Sequence, residues 1–279
     1  TDTAWHTALP EPPVESQLQP VFHTDFERQL WMFRTTKASG EAIEIEIALD
    51  SGEVWVEVDG ERRSDPISEL ELELKRGQPS DLFDLALQLA QAVPLQICDI
   101  SKAERGYRLY APEQYQIRLE RPLLAADMPL EEAYVQLLQF ELQNWPRQLE
   151  AWQFDHKWEH GAQALESLHN IRALREYFID VAPLPADDEL GHLLDKLIDR
   201  LQTLLSWRRC SQLLGPHATE WTRLEADKAR NRLEVLSQTK EAGLIALLLG
   251  EKLSKRPWRD RWQPEHQQRA QEPLNNGHS

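Results

Sequence analysis

Acidic side chains recur at every second position in two short runs of this chain. In ISELELELKRG, residues 67–77, Glu69, Glu71 and Glu73 alternate with Leu70, Leu72 and Leu74, and in IEIEIALD Glu44 and Glu46 alternate with isoleucines. Successive strand side chains point to opposite faces, so carboxylates gather on one face and leucines on the other. Neighbouring like charges repel, so the acidic face is either solvated or turned toward something positive. EVWVEVDGE adds more acids at its own alternate positions. Several such strands close together suggest a sheet curled so that its polar face lines an interior. That interior is tolerable only if cations neutralise it. Hard Mg²⁺ or Mn²⁺ suits carboxylate oxygens and in turn holds phosphate oxygens.

Basic residues flank the same region. TDFERQLWMF supplies Arg28, and SKAERGYRL supplies Lys102, Arg105 and Arg108. A guanidinium grips phosphate through two parallel hydrogen bonds and an ammonium adds a point charge. Taken singly, each of them also fits an ordinary surface position. Further on, LHNIRALREYF places His169, Arg172 and Arg175 at i, i+3 and i+6 of a helix, within about 60° of one face at roughly 100° per residue. The alternatives there are an anion-binding ridge and a solvated helix face. HKWEH, residues 156–160, fits the H-x-x-E-H zinc pattern with its histidines one helical turn apart. Without a third acidic ligand, it reads as a surface helix.

The elements that must carry these residues follow from periodicity. Residues 1–20 hold four prolines and read as a linker or irregular leading segment. From 21 to 112 the pattern is strand-like: RQLWMFRTT, IEIEIALDSG, EVWVEVDGE and SELELELK alternate, parted by turn signals such as SG and DGE. SDLFDLALQLAQAVP switches to helical spacing, with Ser80 or Asp81 as N-cap and Pro94 as the stop. GYRLYAP reads as one more short strand. From 126 to 260 apolar residues recur at i, i+3, i+4, i+7 in four long runs, which predicts an antiparallel helical bundle. Tryptophans such as Trp145 and Trp152 fall on its apolar positions and read as core. Residues 261–279 form a polar tail, expected to be disordered. The fold class is therefore α+β, with the β-rich part first.

Composition narrows the function classes. The 279 residues include 31 Lys and Arg against 47 Asp and Glu, a net charge of −16. Such a chain repels nucleic acid and anionic membranes on average, so any polyanion must meet a local basic cluster or bound metal. Only Cys98 and Cys210 are present, which supports neither a disulfide framework nor a cysteine zinc site. No apolar run approaches the roughly 20 residues of a membrane span. With no signal-peptide pattern at the start, a cytoplasmic protein is expected.

In order and spacing, HTDFERQLW, IEIEIALDSGEV, DPISELELELKRG and ISKAERGYRL resemble the later half of a CYTH domain, over about residues 15–112. The likeness is to the bacterial inorganic triphosphatases that join CYTH to CHAD, within the triphosphate tunnel metalloenzymes. It implies a partial antiparallel β-barrel whose bore binds triphosphate and a divalent metal, Mg²⁺ or Mn²⁺. It also implies phosphate contacts from Arg28, Lys102 and Arg105, and metal ligation by Glu69 and Glu71 with Glu73 as a third. Glu46 and Asp50 lie in a matching strand as weaker candidates. Nothing ahead of Arg28 resembles the family's opening Glu-x-Glu-x-Lys strand, so a fragment or a decayed copy is expected. LHNIRALREYF resembles the CHAD signature, which implies polyphosphate binding by His169, Arg172 and Arg175 in a CHAD-like helical domain that is itself cut short. The function implied is metal-dependent hydrolysis of inorganic triphosphate. The alternatives are a non-catalytic polyphosphate-binding module and a CYTH-type adenylate cyclase.

Overall fold

The computed structural model describes residues 19–237 and 239–274. The leading segment expected at 1–20 lies outside these except for its last two positions, and so do residues 275–279 of the tail. Among the described residues the chain is α+β: a three-stranded antiparallel sheet in the order β1-β2-β3 and a mostly helical remainder. The strands are β1 (His23–Thr36), β2 (Ala42–Val58) and β3 (Glu61–Arg76). β2 and β3 are joined by Asp59-Gly60 with φ of 54° and 79°, the left-handed pair that a two-residue hairpin turn requires.

The SG dipeptide, expected to be a turn, lies instead inside β2, which runs unbroken through Ser51 and Gly52. A Cβ on Gly52 would lie 2.1 Å from the Asp25 carbonyl oxygen and 2.5 Å from Phe26 Cα. The glycine therefore lets two backbones approach closely and does not reverse the chain. β2 also changes the side it buries: Ile43 and Ile45 are buried at odd positions, then Ala48, Asp50, Val54 and Val56 at even ones. Odd and even side chains of a strand point to opposite faces, so the two stretches of β2 are covered on opposite faces.

Helix α1 (Pro79–Ala92) has Gln78 as its N-cap, ahead of the expected Ser80 or Asp81. Asp81 instead reaches back to accept the Gln78 backbone N–H at 2.8 Å and meets Lys37 Nζ at the same distance. The helix stops at Val93, before Pro94, as expected. GYRLYAP is not a strand: residues Lys102–Tyr110 form helix α2, capped by Ser101, whose hydroxyl accepts the Glu104 N–H at 3.1 Å. Its buried positions include Arg105, Arg108 and Leu109, so charged residues occupy the inward face where apolar periodicity would have shown.

The remaining helices are α3 (Leu130–Asp155), α4 (Trp158–Tyr177), α5 (Glu189–Leu214), α6 (Thr219–Ser237), α7 (Lys240–Lys255) and α8 (Pro264–Gln271). α3 packs along α4, α4 on α5, and α1 on α7. Their core holds Tyr134, Leu138, Leu168, Ile171, Leu194, Ile198 and Ile245, with Trp145 and Trp152 fully enclosed as their spacing predicts. The HKWEH run is not one helix: α3 ends at Asp155, its C-cap His156 is left-handed (φ 56°), and α4 starts at Trp158. The described part of the polar tail is ordered. Pro264 opens α8, Ala270 is buried, and Leu130 N donates to Glu272 O at 2.9 Å. No helix among the described residues is long and apolar enough to cross a membrane.

The described residues fall into two compact units. One comprises 19–32, 46–71 and 100–116; the other comprises 33–45, 72–99 and 117 onward. The parity change in β2 coincides with one of these boundaries.

Candidate metal and phosphate site

In the smaller unit, four elements converge on one ionic cluster. β1 supplies Arg28, β2 Asp50, β3 Asp65, Glu69 and Glu71, and α2 Lys102, Arg105 and Arg108. Arg28 donates from Nε and Nη2 to the two Asp50 oxygens, both at 2.6 Å, and from Nη2 to Glu71 Oε2 at 2.7 Å. Lys102 Nζ lies 2.6 Å from Glu69 Oε2, 2.9 Å from Asp50 Oδ2 and 3.1 Å from Glu71 Oε1. Arg105 donates to Asp65 Oδ2 at 2.8 Å, to Glu69 Oε1 at 2.5 Å and to the Pro66 carbonyl. Arg108 reaches Asp65 Oδ2 at 3.2 Å.

The strand register explains the convergence. Asp65, Glu69 and Glu71 share one parity of β3, so all three point to the side that α2 covers. Along α2, Lys102, Arg105 and Arg108 recur every third residue and present their cations to that row. Gly106 lets the helix sit close: a Cβ there would lie 2.2 Å from the Phe22 ring. Phe26 lies beneath both cations from below, with Lys102 Nζ 5.1 Å and the Arg28 guanidinium 5.8 Å from its ring centre.

Burial is graded across the cluster. Asp50 is completely enclosed and Arg108 nearly so, whereas the side chains of Arg28 and Glu71 are 40% and 47% exposed. Hydrogen bonding from Arg28, joined by Lys102, outweighs burial and holds the Asp50 carboxyl at about 2. Burial works against the Lys102 ammonium, but its bonds to Glu69, Asp50 and Glu71 more than offset it and raise its pKa. Arg28 is likewise raised, chiefly by its bond to Asp50. The cluster pairs four basic side chains with four acidic ones.

The residues singled out from sequence fare differently. Arg28, Asp50, Glu69, Glu71, Lys102 and Arg105 are brought together. Glu73 is exposed and pairs with Lys75 Nζ at 2.8 Å, apart from the cluster. Glu44 pairs with Arg34 at 3.6 Å, and Glu46 is half-buried on the stretch of β2 where parity changes. Asp65 lies outside the alternating run of Glu69, Glu71 and Glu73, so the acidic pattern did not single it out. Arg108 was noted only as a flanking base.

In the helical unit, Arg172 Nη2 lies 3.1 Å from His169 Nδ1, and both are half-buried. Arg175 is turned inward, 6% exposed, with Nη2 2.7 Å from both oxygens of Asp188. It is a buried structural ion pair, so the expected three-residue ridge presents two members to solvent. His160 Nδ1 bonds Gln148 Oε1 at 2.8 Å, on a different helix from His156.

Asp50, Glu69 and Glu71 each offer an oxygen, all within 4.8 Å of one another. An all-carboxylate donor set without histidine or thiolate fits a hard divalent cation and not a soft one. The half-exposure of Glu71 leaves such an ion a face open to ligand.

Comparison with known proteins agrees with the geometry. Residues 7–107 match the CYTH domain family. A stretch of 94 residues is 40% identical to a protein of Haemophilus influenzae named inorganic triphosphatase, covering 34% of this chain and 24% of that protein. The chain thus matches about a quarter of the length of this curated relative.

Proposed function

We propose that this chain, whose residues 7–107 match the CYTH domain family, acts as a triphosphate tunnel metalloenzyme and hydrolyses inorganic triphosphate to diphosphate and phosphate with Mg²⁺ or Mn²⁺. The observation that carries the reading is the meeting of Asp50, Glu69 and Glu71 oxygens within 4.8 Å, beside a half-exposed arginine. Those three carboxylates would hold the ion. When bound, it would neutralise phosphate oxygens and make an attacking water more acidic.

The chain's own residues then have distinct tasks. Arg28 uses Nε and Nη2 on Asp50 and Glu71, which leaves Nη1 to donate to a phosphate oxygen. Its orientation is fixed before substrate arrives, so little reorganisation accompanies the reaction. Lys102 supplies a mobile charge for a second phosphate. Arg105 and Arg108 are positioning residues: through Asp65 and Glu69 they lock β3 against α2. For the helical part we propose a CHAD-like role in polyphosphate binding, supported by the half-buried His169–Arg172 pair.

Phosphate release from triphosphate and from ATP, with and without Mg²⁺ or Mn²⁺, tests the enzymatic reading. Metal-dependent release favouring triphosphate, reduced roughly 100-fold in Glu71→Gln, is expected. Release that ignores metal, or that Glu71→Gln leaves intact, would overturn it.

A further inference from the structure

We infer that the Lys102 ammonium is the resident occupant of the carboxylate triangle, and that a divalent ion enters only as Lys102 transfers to a phosphate. Metal and triphosphate then bind as a coupled pair and not independently. The inference rests on the metal-dependent reading above and deepens it.

Lys102 Nζ contacts one oxygen from each of Glu69, Asp50 and Glu71, at 2.6, 2.9 and 3.1 Å. These are the same three residues whose oxygens converge as a metal-ligating set. An ammonium has three N–H donors, and here all three are used. A divalent ion needs those oxygens at about 2.0–2.6 Å. An ion at the centre of that set takes the position the ammonium now fills, so the ammonium must leave for it to bind.

The displaced ammonium has nowhere to go within the cluster. Glu69 Oε1 is held by Arg105, Asp65 by Arg105 and Arg108, and Asp50 Oδ1 and Glu71 Oε2 by Arg28. Every carboxylate near Lys102 is already committed. An anion from outside is the partner left to it. Charge points the same way: four cations balance four carboxylates, so an added divalent ion makes the cluster net positive and calls for a polyanion. Lysine suits the exchange, being a compact charge on a flexible stem.

The coupling is reciprocal by linkage and is read as a change in metal affinity. Mn²⁺ binding to the full chain is measured by electron paramagnetic resonance, with and without a non-hydrolysable imido analogue of triphosphate. The wild type is expected to bind Mn²⁺ weakly alone and at least about tenfold more tightly with the analogue. Lys102→Met should bind Mn²⁺ at least about tenfold more tightly than wild type without the analogue, and gain less from it. A second measurement needs no variant: the Lys102 ammonium ¹⁵N signal of wild type should shift when Mg²⁺ and the analogue are added together. Wild type that binds Mn²⁺ alone as tightly as Lys102→Met, with an unmoved ammonium signal, overturns the exchange and leaves the metal site standing. Failure of both proteins to bind Mn²⁺ even with the analogue overturns the metal-dependent reading itself.

Discussion

Arg28 grips the fully enclosed carboxylate of Asp50 through two parallel hydrogen bonds of 2.6 Å, although its own side chain is 40% exposed. A buried acid is thereby joined to an arginine that solvent and ligands can reach. Pairs of this fork-on-fork geometry orient as well as attract. Asp50 is thus an anchor for the cluster from beneath, and Arg28 the face that the cluster shows.

Stability should fall on the acid side because of Asp50. Its carboxyl sits at about 2 in the folded chain against an ordinary 3.8, so the stabilisation is complete above about pH 4 and fades as pH falls toward 2. A shift of this size corresponds to roughly 2 kcal/mol at neutral pH, an upper figure because Arg28 is partly solvated. Denaturant unfolding of wild type and Asp50→Asn at pH 6 and pH 3 checks the sign. The gap between them should narrow at pH 3; a constant gap would show that the carboxylate's charge is not what stabilises.

Gly52 and Gly40 should respond oppositely in kind to alanine. At Gly52 the added methyl meets backbone of Asp25 and Phe26 within 2.5 Å, and strands must part to admit it. A loss of about 1–3 kcal/mol is expected, with reduced triphosphate affinity because Arg28 lies two residues beyond Phe26. Gly40 has open space around it but φ of 86°, so its alanine variant suffers only backbone strain of about 1 kcal/mol and leaves binding unchanged. Equal effects on affinity would contradict the close-approach account.

Arg172 and Arg175, three residues apart, should part company under mutation. Arg175→Ala leaves Asp188 without its buried partner and should lower the melting temperature markedly, by a few kcal/mol of stability. Arg172→Ala, half-buried beside His169, should leave stability within about 0.5 kcal/mol and weaken polyphosphate binding instead. Calorimetry of both variants, with a polyphosphate titration, separates the two roles.

Alternation and turn chemistry made much of the sheet legible. Asp-Gly at 59–60 reverses the chain as its residue types demand, and Glu69 and Glu71 share a face as period-two spacing requires. Helix α2 was hidden because its buried side consists of Arg105 and Arg108, whose partners lie about 40 residues away in β3. A local window reads two inward arginines as surface. Gly52 misled for a related reason: glycine marks a turn or a close approach, and only the neighbouring strand decides which. Glu73 has the same spacing as Glu69 and Glu71, yet Lys75, two residues on, claims it. The pattern could specify a face but not where along that face the cations lie.

The interleaving of the two compact units has a practical consequence. The chain passes from one to the other after residues 32, 45, 71, 99 and 116. No single protease nick or stop codon can therefore release either unit free of the other's segments, and a gene product shortened before residue 116 is injured in both. Attempts to express the ionic centre by itself would need a rewired connectivity, with new loops closing what β1, β2 and β3 now carry across.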